Sequence, residues 1–397
     1  MLKYILMKKG FWDQLGGGFT VLAPMDGVTD IVFRQVVARA GRPEVFFTEF
    51  TNVSSFASEK GRTSAILRLR FLPEEKPIVA QIWGVNPGHF EVCANGLREM
   101  GYEAVDINMG CPEKHVVRNG GGSALIRMPE LAGEIIAATK RSGLPVSVKT
   151  RLGYTQVEEW REWLSFLLAQ DLAALTVHLR TKKEMSKVVA HHELVEEIVA
   201  LRDALAPGTK LIVNGDIESR VDGQKFIDLG VDGVMIGRGV FADLFCFREV
   251  RLHLPKTTST PRKSASGRIS LGSDTFSTNV TELHQRLSLS HVLQNPNTDP
   301  RISRRAKLSS KIGAQVLERV ELPSEIDQRM SERIGLLKYH LDLFDQYGGR
   351  KFEPLKRFLK IYVNNFPGAV EVRERMMKCE NTQAVRDIIG ELEEEQR

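Results

Sequence analysis

Between residues 18 and 252, short β-branched apolar runs alternate with longer stretches whose apolar positions recur at helical spacing. The runs at 19–23, 44–48, 77–82, 104–108, 145–150, 173–178, 210–214 and 233–236 read as strands. Each is followed by a helix-length segment or by a loop long enough to hold one. Strands separated by helices cannot fold back as hairpins, so a parallel sheet is expected. Eight such units in succession predict a (β/α)8 TIM barrel, whose site lies at the C-terminal ends of the strands. The competing fold is an open doubly wound sheet. That fold calls for a glycine fingerprint after the first strand, and Ala23, Pro24 and Met25 stand there instead.

Five of the runs close on a polar or charged residue: Gln81, Asn108, Lys149, His178 and Asn214. One polar strand end is ordinarily a strand meeting water. Five on consecutive strands of a barrel converge on one rim and mark a site. The run ending at Asn108 leads into Met109, Gly110, Cys111 and Pro112, then a basic turn, then Gly120 to Gly122. Gly110 lets the backbone turn sharply, and Pro112 stops Cys111 from entering a helix. Most free cysteines are small buried hydrophobes. Cys111 instead has Asn108, Glu113, Lys114 and His115 around it, whereas Cys93 and Cys246 have apolar neighbours.

Beyond the barrel region the pattern changes. Residues 256–330 contain twelve Ser, seven Thr and one aromatic, Phe276. Such a segment cannot bury enough apolar area to offset its ordering entropy, so it reads as a disordered basic linker. Helical spacing returns at 331–364, with Ile334, Leu337, Leu341 and Phe344 on one stripe. Phe352, Leu355, Phe358, Leu359 and Tyr362 lie on another, and Asn381 to Leu392 predicts a last helix. The expected division is therefore a catalytic barrel at 1–255, an insertion at 256–330 and a small helical bundle at 331–397.

Charge follows this division. Residues 1–255 sum to zero, 256–370 carry +8 and the last 27 residues carry −3, which gives the chain its +5. A solvated surface explains such numbers as well as a polyanion-gripping appendage does. Four cysteines show neither CxxC nor metal-ligand spacing, so no metal is expected and a reducing cytoplasm is the simplest setting. No apolar run reaches 18 residues, so no membrane helix is expected. The chain is read as a monomer.

Seven motifs in order resemble the tRNA-dihydrouridine synthases, FMN-dependent enzymes that reduce uridines in tRNA. They are Ala23 to Asp30, Gln81, the Cys111 segment at 103–125, Lys149 to Arg151, Thr176 to His178, Asn214 to Asp216, and Gly237 to Gly239. The matches cover about residues 18–250. A weaker similarity reappears at about 331–370, where the family carries a helical tRNA-recognition domain. The resemblance implies FMN as cofactor, NADPH as reductant and tRNA as partner.

Placed on this sequence, the cofactor would meet Ala23, Pro24, Met25, Gln81, Lys149, His178, Asn214, Gly215, Asp216, Gly237 and Arg238. The glycines and Arg238 follow the last two strands, where barrels commonly bind phosphate. Lys149 would face the N1–C2=O edge of the flavin. Cys111 is the expected proton donor to uracil C5, although His115 in the same turn leaves a thiolate nucleophile open. Asn108, Lys351, Lys356, Arg357 and Lys360 are the expected substrate contacts. Lys182 stands where the family more often has arginine. A dehydrogenase of a free pyrimidine has no use for the basic bundle, and a silent tRNA binder has no use for Cys111 and Lys149.

Overall fold

The computed structural model describes residues 10–249, 323–348, 351–364 and 366–395. Nine strands run in parallel: β1 (Phe19–Leu22), β2 (Phe46–Phe47), β3 (Thr51–Asn52), β4 (Ile78–Trp83), β5 (Val105–Met109), β6 (Val146–Arg151), β7 (Ala174–His178), β8 (Lys210–Asn214) and β9 (Gly233–Ile236). Their order is β1-β9-β8-β7-β6-β5-β4-β2, and the parallel bridge Val21–Val45 joins the two ends. The eight-unit barrel read from the sequence is thus the observed fold. β3 is extra, a two-residue strand that pairs Thr51 with Ile82 and Asn52 with Trp83 at the upper end of β4.

Helices between the strands are α1 (Ile31–Ala40), α2 (Val53–Ala57), α3 (Glu59–Arg68), α4 (Pro87–Glu99), α5 (Lys114–Arg118), α6 (Pro129–Lys140), α7 (Trp160–Leu168), α8 (Val195–Leu205), α9 (Arg220–Ile227) and α10 (Gly239–Ala242). Side chains alternate across a strand, so each strand feeds two cores. Leu22, Ile82, Ile107, Val148, Val177, Val213 and Ile236 face the helices. Phe19, Val21, Phe47, Val79, Ala104, Ala174, Ile212 and Met235 fill the barrel below the mouth, closed underneath by Trp12. The inward parity continues upward through Gln81, Asn108, Lys149, His178 and Asn214, which is why these side chains meet.

Among the described residues four further helices follow: α11 (Pro323–Tyr347), α12 (Glu353–Tyr362), α13 (Ala369–Lys378) and α14 (Thr382–Glu395). The two expected stripes form their core, with Leu337, Leu341, Leu355, Leu359 and Tyr362 at most 2% exposed. Phe358 of α12 packs on Phe33 of α1, ring centroids 4.7 Å apart. Asn381 caps the last helix by accepting from the Ala384 N–H at 2.9 Å. α11 starts at Pro323, ahead of the boundary at 331 read from composition. The reading of 256–322 as a disordered linker lies outside the described residues. Among the described residues no helix is long and apolar enough to cross a membrane.

Candidate active site

A cleft of about 440 Å³ opens at the C-terminal mouth of the barrel. The barrel residues expected to meet the cofactor, with Asn108 and Cys111, all border it: Ala23, Pro24 and Met25 after β1, Gln81 on β4, Asn108 and Cys111 at the end of β5, Lys149 on β6, His178 on β7, Asn214 to Asp216 after β8, and Gly237 and Arg238 after β9. The loop after β1 is fixed by its own bonds. The Met25 N–H donates to Thr29 Oγ1 at 2.9 Å, and the Thr29 N–H returns to the Met25 carbonyl at 3.0 Å.

A buried polar chain supports the floor. Gln81 Nε2 donates to Asp106 Oδ2 at 2.8 Å, Asn108 Nδ2 donates to Gln81 Oε1 at 3.0 Å, and Ser147 Oγ donates to Asp106 Oδ1 at 2.6 Å. Burial pushes the Asp106 carboxyl up to about 6, against the pull of these donors and of Lys149. Asp106 was missed in the sequence. Its signal was available, since it lies two residues before Asn108 and so shares its inward parity.

Burial and the neighbouring Arg151 bring the Lys149 ammonium down to about 8. Its Nζ donates to Asn214 Oδ1 at 3.2 Å, while Asn214 Nδ2 donates to the Met235 carbonyl at 2.7 Å. Arg151 is also inward and went unassigned. It donates to the carbonyls of Gly110 (2.8 Å), Thr181 (3.1 Å) and Met185 (2.9 Å), so it ties the Cys111 turn to the loop after β7.

His178 stays neutral, its pKa held well below the ordinary value by burial and by Arg151, Lys149, Arg180 and Arg238. Its Nε2 lies 3.2 Å from Arg180 Nη1. A guanidinium can only donate, so Nε2 accepts and the ring proton sits on Nδ1. Arg180, 2% exposed, also pairs with Asp216. Asp216 accepts the Ala190 N–H at 3.0 Å and Arg238 at 3.3 Å, and its carboxyl is held low chiefly by Arg180. Asp216 therefore orients two arginines rather than offering its own charge to the cleft.

The loops after β8 and β9 are built without side chains where they meet. Gly215 has φ +123° and Asp216 φ +51°. A Cβ on Gly215 would lie 3.1 Å from that of Ala190. One on Gly239 would lie 2.2 Å from the Glu218 carbonyl oxygen, so only glycine allows the two backbones this approach. Gly239 also opens α10, where the N–H groups of Val240 and Phe241 donate to the carbonyls of Gly237 (3.3 Å) and Arg238 (2.9 Å) and fold the chain tightly over the cleft. Glycine backbone and the Arg238 guanidinium at one rim suit an anionic group such as phosphate.

The Cys111 N–H donates to Asn108 Oδ1 at 2.9 Å, and its carbonyl accepts the Ser123 N–H at 3.0 Å. Burial pushes the thiol up, against Arg151 and Lys149, and so keeps it protonated. His115, left open as a partner in a thiolate pair, borders a different cavity, with its ring 6.0 Å from that of Trp83. Lys182 lies outside the cleft lining, its ammonium 4.9 Å from the Tyr154 ring centroid.

The four basic residues of the helical region expected to contact substrate divide. Lys351 and Lys360 are exposed. Arg357 Nη1 donates to the Gly27 carbonyl at 2.8 Å and so clasps α12 to the loop after β1. Lys356 departs from the exposed cation expected. Its side chain is 14% exposed, paired with Glu353 at 3.0 Å one helical turn away.

Residues 21–298 match the family model described as dihydrouridine synthase (Dus). The chain is 42% identical over 391 residues to the probable tRNA-dihydrouridine synthase 2 of Bacillus subtilis, covering 98% of each. It is 41% identical over 392 residues to the probable tRNA-dihydrouridine synthase of Staphylococcus aureus strain COL, covering 98% of this chain and 97% of that one.

Proposed function

The chain belongs to the dihydrouridine synthase family, and on that premise we propose that it reduces uridines in tRNA to 5,6-dihydrouridine, with FMN in the cleft and NADPH as reductant. The observation that carries this reading is one cleft bordered by a protonated thiol, a buried ammonium and a glycine-built anion cradle. The flavin supplies two-electron hydride chemistry between the nicotinamide and C6 of the uracil.

The protein supplies the rest. Gly215, Gly237 and Arg238 would hold the phosphate, with Asp216 keeping Arg238 aimed. Ala23, Pro24 and Met25 would wall the ring, Gln81 would bond its edge, and Lys149 would set a positive charge beside it. Neutral His178 adds a hydrogen-bond donor at Nδ1 without adding charge. Cys111 gives its proton from Sγ to C5, completing saturation of the C5=C6 bond. Asn108, by gripping the Cys111 N–H, sets where that sulfur points.

A uridine inside folded tRNA must leave its stack to reach this mouth. Lys351, Arg357 and Lys360 would meet phosphates without reading sequence. A cleft whose residues all come from one chain supports action as a monomer, and a tRNA substrate supports a cytoplasmic setting. The test is purified protein with FMN, NADPH and an unmodified tRNA transcript, followed by mass detection of dihydrouridine. Product that disappears when Cys111 is replaced supports the reading. Wild-type protein that binds FMN yet reduces no transcript overturns it.

A further inference from the structure

A second cavity of about 410 Å³ adjoins the cleft, and Phe50 borders both. It lies between β3, α3 and α5. Trp83 and His115 form an aromatic side, and Thr51, Asn52, Ser55 and Ser64 bring hydroxyl and amide groups. The glycine run separates it from the catalytic cysteine. A Cβ on Gly121 would lie 3.0 Å from the Trp83 ring, and one on Gly122 would lie 2.7 Å from the Cys111 carbonyl oxygen. Nothing larger than glycine fits that wall, so the two cavities stand back to back.

Two further observations say what the cavity takes. Thr51 is 1% exposed, borders the cavity, and its Oγ1 has no hydrogen-bond partner in the protein. A buried hydroxyl left unpaired is costly, so a group that bonds it is called for. Asn52 gives this hydroxyl no bond, and its Oδ1 accepts the Ser55 N–H at 2.9 Å. Charge excludes phosphate. The lone Arg or Lys on this lining among the described residues, Arg68, is held by Asp26 at 2.5 Å and Glu49 at 3.4 Å, and Asp26 and Glu113 border the cavity too. An aromatic wall, polar edges and no available cation fit a neutral flat heterocycle.

We propose that this cavity is a nucleobase subsite, holding the base of a tRNA nucleotide next to the reduced uridine, with Trp83 and Phe50 as its apolar wall and Thr51 Oγ1 bonding its edge. The inference rests on tRNA being the substrate. A base held here while its neighbour enters the cleft makes the choice of uridine depend on the adjacent nucleotide.

The experiment first maps the uridine that the full-length, FMN-loaded wild-type enzyme reduces. If none is reduced, the tRNA reading fails before this one is reached. Transcripts with the nucleotides on either side made abasic, one at a time, are then compared by kcat/KM. One of the two abasic sites is expected to lower kcat/KM about tenfold, as lost base stacking does. Thr51→Val, nearly isosteric, and Ser64→Phe, which fills the cavity from the exposed face of α3, should both erase that difference. Thr51→Val should keep or raise the thermal midpoint, since it removes an unpaired hydroxyl. Flavin reduction by NADPH is timed alongside. The proposal is overturned if neither abasic site matters, if both variants still discriminate, or if NADPH reduction slows with them, which would place the dinucleotide's adenine in the cavity instead.

Discussion

Lys149 Nζ donates to Asn214 Oδ1 at 3.2 Å, joining the ends of β6 and β8 across the mouth of the barrel. This bond holds the ammonium at the cleft while burial and Arg151 weaken its hold on the proton. The buried cation is therefore easy to discharge in the absence of an anion.

The first prediction follows from that titration. Lys149 falls to about 8 in the folded protein, so the free protein carries the charge below that pH and loses it above. FMN affinity of the apoprotein should drop as pH rises through about 8, whereas Lys149→Met should bind weakly with no step there. The sign for stability is the reverse. The unfolded chain holds this proton up to the ordinary lysine range, so burial of the charge destabilises below about 8, and the penalty is relieved as pH rises above it. Fluorescence titration of FMN from about pH 6.5 to about 9.5, a span that brackets the Lys149 step, checks this. A flat wild-type profile would remove Lys149 from the flavin site.

The second concerns Cys111. Cys111→Ala should be reduced by NADPH at the wild-type rate, because that half-reaction does not use the thiol. Reoxidation by tRNA should slow by roughly 10²–10⁴-fold, the range for a lost general acid. Cys111→Ser should fall between, since a hydroxyl relays a proton but is the weaker acid. Stopped-flow absorbance separates the halves. Slow reduction by NADPH, or unchanged reoxidation, would falsify the assignment.

Arg238 is exposed and shared with Asp216, so a bond to a phosphate would replace one that it already makes. Arg238→Ala should weaken FMN by about 1.5 kcal/mol, the lower end for a hydrogen bond to a charged group. Asp216→Asn should weaken it as well, by releasing Arg180 and Arg238 together. Equilibrium dialysis against FMN measures both. Unchanged affinity in both variants places the phosphate elsewhere.

Gly239 faces the Glu218 carbonyl across a gap that no side chain fits, at 2.2 Å from an ideal Cβ. Gly239→Ala should push the loops after β8 and β9 apart, costing about 1–3 kcal/mol of stability as overpacking does. FMN should be lost with it. Gly335→Ala is the control, because nothing lies within 4 Å of its Cβ. A wild-type melting curve and FMN content for Gly239→Ala would show the two loops to be freer than their contact implies.

The barrel was legible because its determinants are local. A strand of period two followed by a helix of period 3.6 declares itself within ten to twenty residues, roughly the length of one unit. Polar residues closing five such strands then had one rim to share. The motif resemblance added the chemistry, and every residue it assigned to the cofactor borders the cleft, as Cys111 does.

What only the tertiary structure decided concerns partners distant in the chain. Asp106, Arg151 and Arg180 are charged residues inside apolar or polar runs, and nothing local says that they are buried. Their partners Gln81, Gly110 and Asp216 come from other strands or loops. Lys356 looked exposed by spacing, but its ammonium lies over the Phe352 ring and against Glu353. His115 is four residues from Cys111 and yet borders another cavity, because α5 turns it toward Trp83. Sequence fixes which face of an element a side chain occupies through the period of its backbone. Which charges and protons that side chain then meets depends on packing between elements, and in this protein that packing sets the charge of Lys149, the neutrality of His178 and the proton on Cys111.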